Sequence, residues 1–98
     1  MGQFDGAWSV AVVAEQGNCD RAYRFGVILR GGQIYYAGGG DFTISGRVQP
    51  SGAVRGSIVR GLDRADVVGG LRGNYGAGAW ASSGTWRCGG HWDAERRG

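Results

Sequence analysis

The amino-acid sequence predicts an all-β fold: a small eight-stranded antiparallel up-and-down barrel clamped by a disulfide, with a β-sandwich as the alternative. Three observations carry this. From Phe4 to Arg96 the apolar residues alternate with polar or small ones, the period of a strand with one buried face. Gly-rich turns cut that alternation into eight short runs. The turn lengths also set registers in which apolar positions meet apolar positions.

The runs follow in order. Residues 7–14 alternate Trp8, Val10 and Val12 with smaller neighbours, and 21–30 place Tyr23, Phe25, Val27 and Leu29 on one face. Gly31-Gly32 suits a two-residue hairpin into 33–37, where Ile34 and Tyr36 extend that face. The run 42–49 carries Phe42, Ile44 and Val48. Pro50-Ser51-Gly52 then suits a type I turn followed by a left-handed Gly, leading into 53–60 with Val54 and Ile58. Gly61-Leu62 suits a type II′ turn into 64–72, which holds Val67 and Leu71. Gly73-Asn74 turns into 75–82 with Trp80, and Ser82-Ser83-Gly84 suits a three-residue loop into 85–96 with Trp86 and Trp92.

These turns predict cross-strand partners. Val48 meets Val54, Gly46 meets Gly56, and Ile44 meets Ile58; Ile58 then meets Ala65, and Gly56 meets Val67. Val67 meets Trp80, Trp80 meets Trp86, Leu29 meets Ile34, and Val27 meets Tyr36. In each pair inward faces inward. Glycines on the inward tracks (Gly46, Gly56, Gly69, Gly78, Gly90) make room for rings and let a short barrel bend. In a closed meander the last strand lies antiparallel to the first, which brings Cys19 toward Cys88.

Composition bounds the rest. Ninety-eight residues form a single domain over 1–98, and 22 Gly against one Pro could signal disorder. Four Trp, four Tyr and three Phe oppose that reading. All eleven basic residues are Arg, and a net charge of +3, interleaved with Asp and Glu, does not announce a nucleic-acid partner. Two cysteines far apart, without a CxxC, fit one structural disulfide better than a metal site. The bridge implies an oxidising compartment. Met1 leads within a few residues into the first strand, so the sequence reads as a mature form whose export signal has been removed. No apolar run is long enough to span a bilayer as a helix. A transmembrane barrel would be apolar outside, whereas Arg24, Arg47, Arg55, Arg72 and Arg87 fall on outward tracks.

Few residues are left for chemistry. Gly38-Gly39-Gly40 and Gly69-Gly70 lack the strand-to-helix context and spacing of phosphate loops, and read as turn glycines. The inward Trp and Tyr read as core packing in a barrel whose side chains fill its interior, with a small-ligand mouth as the alternative. His91 lies outward beside Asp93 with no nucleophile nearby, and reads as a solvated histidine. No inward carboxylate pair is found, so the expectation is a non-enzyme that needs no cofactor and no metal.

One oddity stands out. The predicted register sets Arg47 directly opposite Arg55, Gln33 opposite Arg47, and Arg30 opposite Gln33, with Asp66 diagonal to Arg55 and able to offset part of its charge. Like charges opposed on a sheet face are unfavourable by a few tenths of a kcal/mol or more, roughly, unless an anion intervenes. The adjoining row, Ile28, Tyr35, Ser45, Ser57 and Asp66, adds an exposed aromatic.

The stretches Phe4-Asp5-Gly6-Ala7-Trp8, Gly17-Asn18-Cys19-Asp20-Arg21-Ala22-Tyr23-Arg24 and Cys88-Gly89-Gly90-His91-Trp92-Asp93-Ala94-Glu95-Arg96 resemble an uncharacterised family of short exported alphaproteobacterial β-rich proteins and domains. Phe42 to Val48 and Gly76 to Trp80 fit it as well, so the likeness covers nearly the whole chain. It implies export and the cysteine pairing, and transfers no site. Avidin-type and lipocalin barrels share only the architecture and a Gly-x-Trp opening.

The leading expectation is a non-enzymatic periplasmic or secreted binding module. Its basic and aromatic outer face, Arg30, Gln33, Tyr35, Arg47 and Arg55, would meet an anionic glycan, an envelope polymer or a protein. The alternative is a small inhibitor of a cell-wall hydrolase or protease acting through the loop 15–20, tethered by Cys19.

Overall fold

A computed structural model describes residues 2–17, 19, 22–36, 38, 42–83 and 87–98, with Tyr23 described by its backbone alone. Eight antiparallel strands run β1 (Gly6–Gln16), β2 (Ala22–Arg30), β3 (Gln33–Tyr35), β4 (Thr43–Val48), β5 (Ala53–Arg60), β6 (Asp63–Arg72), β7 (Tyr75–Ser83) and β8 (Gly89–Arg96). Each pairs with the next, and β8 pairs with β1 to close the barrel. The sandwich alternative is thereby set aside.

The turns set the registers as the sequence indicated. Gly31 and Gly32 both take positive φ, 60° and 80°, as a type I′ turn requires, and Leu29 meets Ile34. Gly52, at φ 97°, donates its N–H to Gln49 O at 2.8 Å after the Pro50-Ser51 turn, and Val48 meets Val54. Gly56 faces Val67, and Val67 faces Trp80.

Three expectations are corrected. Trp80 faces Gly90, not Trp86: the β7–β8 ladder ends at Ala81–Gly89, so the connection is longer than Ser82-Ser83-Gly84 allows. Ser82 holds that wider loop by exchanging hydrogen bonds with the Cys88 backbone, at 2.7, 2.8 and 3.1 Å. Trp80's partner moves from residue 86 to residue 90, an even shift, so inward still meets inward. Gly84 and Trp86 lie outside the described residues. Second, among the described residues β3 covers Gln33–Tyr35 and meets β4 at the pair Gln33–Arg47. The β2–β3 ladder ends at Ile28–Tyr35, short of the predicted Val27–Tyr36 pair. Rings bridge the gap: Tyr36 stacks on Phe42 at 4.8 Å and meets Phe25 edge-on at 6.0 Å. Third, β1 runs to Gln16 rather than ending at residue 14, with a bulge at Glu15 between the Ala14–Gly90 and Gln16–Gly89 pairs.

Indole rings laid across glycines hold the wall. Trp92 of β8 covers Gly78 of β7 and Gly69 of β6, where an added Cβ would sit 2.7 Å from Nε1 and 2.6 Å from Cζ2 respectively. Its Nε1 donates to Val68 O on β6 at 3.1 Å. Trp80, facing the bare backbone of Gly90, reaches across β8 to donate to Val13 O of β1 at 3.1 Å. Each indole thus ties three consecutive strands.

The two ends differ. At the floor, where the β2–β3, β4–β5 and β6–β7 turns lie, Trp8, Leu29, Val48, Val54 and Leu71 are buried under Phe4. Trp8 Nε1 donates to Phe4 O at 2.8 Å. Arg96 sits over the Trp8 ring at 5.1 Å and donates to Gln3 O, Asp5 O and Gly73 O at 3.2, 2.9 and 3.0 Å. At the opposite end Val12, Phe25, Ile44, Ile58 and Trp80 are only half-buried. Among the described residues no helix is long and apolar enough to cross a membrane.

Asp5 completes the floor. Its carboxylate accepts the Gly31 N–H at 3.0 Å and the Gly2 N–H at 3.2 Å. The Gly31 N–H, against partial desolvation and with help from Gly2 and Gly32, holds its pKa below the ordinary 3.8.

Two measurements check this account. Trp92→Ala should lower stability by about 3–5 kcal/mol in denaturant melts, and Val68→Ala on the outer face by well under about 1 kcal/mol. Reversed magnitudes would invert the inside and outside assignments. For Asp5 the folded pKa is depressed, so its contribution is complete above the unfolded value of about 4 and fades as pH falls through the folded one. The urea midpoints of wild type and Asp5→Asn should therefore differ at neutral pH and converge on acidification. A gap that widens in acid contradicts the assignment.

Candidate functional site

Alternation on β2 to β5 puts Arg30, Gln33, Arg47 and Arg55 in one outward row. The ladder pairs Arg30 with Gln33, Gln33 with Arg47, and Arg47 with Arg55, and all four are exposed. Tyr35, 47% exposed, stands two residues along β3 and donates its hydroxyl to Gln33 Oε1 at 2.6 Å. The five residues expected from the sequence therefore share one surface. Among the described residues no carboxylate forms an ion pair with Arg30, Arg47 or Arg55.

Asp66 does not serve as the expected counter-charge. It is held by Arg64 on its own strand, Nε to Oδ1 at 3.0 Å, while Arg64 Nη2 donates to Ser57 Oγ at 3.2 Å. Position i+2 on a strand points to the same face, so Arg64 reaches Asp66 without crossing to another strand. The result is a shallow depression on β4 to β6, with Arg47 and Arg55 on one side, Arg64 and Asp66 on the other, and Ser57 and Val68 between them. Arg64 was not singled out by sequence: its i, i+2 spacing to Asp66 was legible, but spacing alone does not prefer that pair over Arg55–Asp66.

The second candidate, the loop 15–20, lies at the half-buried end. Cys19 and Cys88 are bridged, with Cα atoms 6.2 Å apart, joining the chain after β1 to the entry of β8. Glu15, projected by the bulge, accepts from His91 Nδ1 at 2.9 Å. His91 was expected beside Asp93; it pairs instead across the closing seam, where the bulge brings the carboxylate over. Asn18, Asp20 and Arg21 lie outside the described residues. The bridge points to an oxidising, non-cytoplasmic environment. Among the described residues no group of three His, Cys, Asp or Glu side chains is placed to hold a metal ion.

The interior is not filled, contrary to the packed core expected from the sequence. An apolar cavity of about 150 Å³ runs between the walls, lined among others by Phe25, Ile44, Ile58, Val67, Leu71 and Trp80. Its origin is local. Gly46 and Gly56 face one another on β4 and β5, and the closest side-chain atom to either is the Ile34 Cδ1 methyl. Among the described residues no indole lies against them as Trp92 lies against Gly69 and Gly78.

Compared with known protein families and with curated proteins, the chain matches none. What it can do must be argued from its own residues.

The bridge gives a direct test. Thiol titration of the unfolded, unreduced protein should find no free thiol. Replacing both cysteines by Ser should lower stability by about 4 kcal/mol, the chain-entropy value for a closed loop of about 70 residues. Two titratable thiols would remove the bridge and the compartment inference together.

Proposed function

We propose that the protein is a non-enzymatic binding module, periplasmic or secreted, that holds an anionic glycan or envelope polymer against the outer face of β2 to β6. The observation that carries this reading is the exposed Arg47–Arg55 pair, directly opposed with no described acid paired to either. Such a pair opposes folding by a few tenths of a kcal/mol, roughly, and an anion bound between the guanidinium groups reverses that sign. Arg30 and Gln33 extend the row for a repeating ligand. Tyr35 and Val68, each 47% exposed, offer apolar surface on either side for sugar faces. The disulfide supports the extracytoplasmic setting in which such polymers occur.

Arg47→Ser and Arg55→Ser should leave stability equal or slightly higher while weakening retention on an anionic polymer such as heparin. Wild-type retention should fall steeply with salt. Retention insensitive to both salt and the Arg changes contradicts the reading. Protease or hydrolase inhibition that is lost when Gln16 and Asn18 are altered, with the Arg row intact, would favour the inhibitor instead.

A further inference from the structure

We infer that the barrel interior is a binding site for one unbranched alkyl chain, entering tail first at the end that bears the Cys19–Cys88 bridge. This site is separate from the outer face.

The cavity's shape points to a chain. Its lining runs along β6 from Leu71 to Ala65. Six residues of a tilted strand span about 15 Å of barrel axis. The 150 Å³ of free volume is therefore drawn out into a long, narrow bore. A polymethylene chain matches that form better than a fused ring system does.

Chemistry restricts what can enter. Among the described residues no charged side chain lines the cavity. The indole N–H groups of Trp8, Trp80 and Trp92 are already donated to backbone carbonyl oxygens of Phe4, Val13 and Val68. Among the described residues the walls thus present mainly hydrocarbon and ring faces, and these three indoles leave no donor free for a polar group. Apolar cavities of this size stay dry and accept apolar guests.

Direction follows from the two ends. Phe4, Trp8, Leu29 and Val48 seal the floor, while Val12, Phe25, Ile44 and Trp80 remain half-buried at the mouth. Beyond the mouth, the β5–β6 hairpin tip carries Leu62, 92% exposed, an apolar lip beside the entrance. A polar head group would stay in water there while the tail occupies the bore.

The test uses the full, disulfide-intact chain and a series of n-alkan-1-ols from butanol to tetradecanol. Binding is read by calorimetry and by the shift in tryptophan emission. Affinity should rise about fourfold per methylene until the bore is full, after roughly ten carbons, and then level off. Alkanoates of equal length separate the sources: equal or tighter binding points to a free fatty acid, weaker binding to a neutral lipid. Val67→Phe sets a ring over Gly56 and should bring the plateau several carbons earlier. Ala65→Leu, a smaller change nearer the mouth, should do the same less strongly and serves if the first variant does not fold. Arg47→Ser should leave the series unchanged, whatever its effect on polymer retention. Affinity independent of chain length, naphthalene binding as tightly as decanol, or a wild-type series in both folded filling variants would overturn the proposal.

Discussion

The wall of this barrel depends on large rings placed over residues that have no side chain. Trp92 can reach Val68 O only because Gly78 and Gly69 leave the inner surface of β7 and β6 bare. Trp80 reaches Val13 O because Gly90 leaves β8 bare. Each contact combines burial of a large apolar surface with a hydrogen bond that satisfies the indole N–H. It also extends each tie from two strands to three, which matters in a chain too short to build a thick core. The Trp80 contact crosses the closing seam, so the same device that packs the wall also helps make it a ring.

Where that complement is missing, the interior opens. Gly46 and Gly56 form the same bare surface on β4 and β5, yet among the described residues no indole lies against them, and the cavity borders Gly56. The molecule divides along its axis in consequence. The floor is a conventional core, capped by Phe4 and latched by the Arg96 guanidinium, which binds three carbonyl oxygens and covers Trp8. The mouth is lined by half-buried apolar groups and held by a covalent bridge as well as by the Phe25, Tyr36 and Phe42 rings.

Much of this was legible in the sequence because strand parity and turn length are local properties. Gly31-Gly32 and Pro50-Ser51-Gly52 specify their own geometry, and their registers propagate to Leu29–Ile34 and Val48–Val54. The Arg47–Arg55 opposition followed from the same arithmetic. What escaped depends on distance in three dimensions. Alternation tells that Gly46 and Gly56 face inward but not whether a ring arrives to cover them. The Arg64–Asp66 pair could be read from their spacing but not preferred over Arg55–Asp66. The β7–β8 register missed because Ser82 prefers the Cys88 backbone to a tight turn. Arg96 shares the inward parity of Trp92 and Ala94, a place where a charge must find partners, and that parity is visible in the sequence.

The barrel has two unlike seams. Between β1 and β8 the ladder is long and is reinforced by the Cys19–Cys88 bond; between β3 and β4 the described ladder is one pair, with the Val48 N–H donated to Gly32 O beside it and stacked rings flanking it. Fluctuations that open the ring therefore begin at the second seam, where the fewest backbone bonds must break. Because the first seam is covalent, such an opening converts the ring into a curled ribbon rather than two free ends. Re-closure is then a zipping of neighbours already held near one another, and the molecule can breathe around its interior without unfolding.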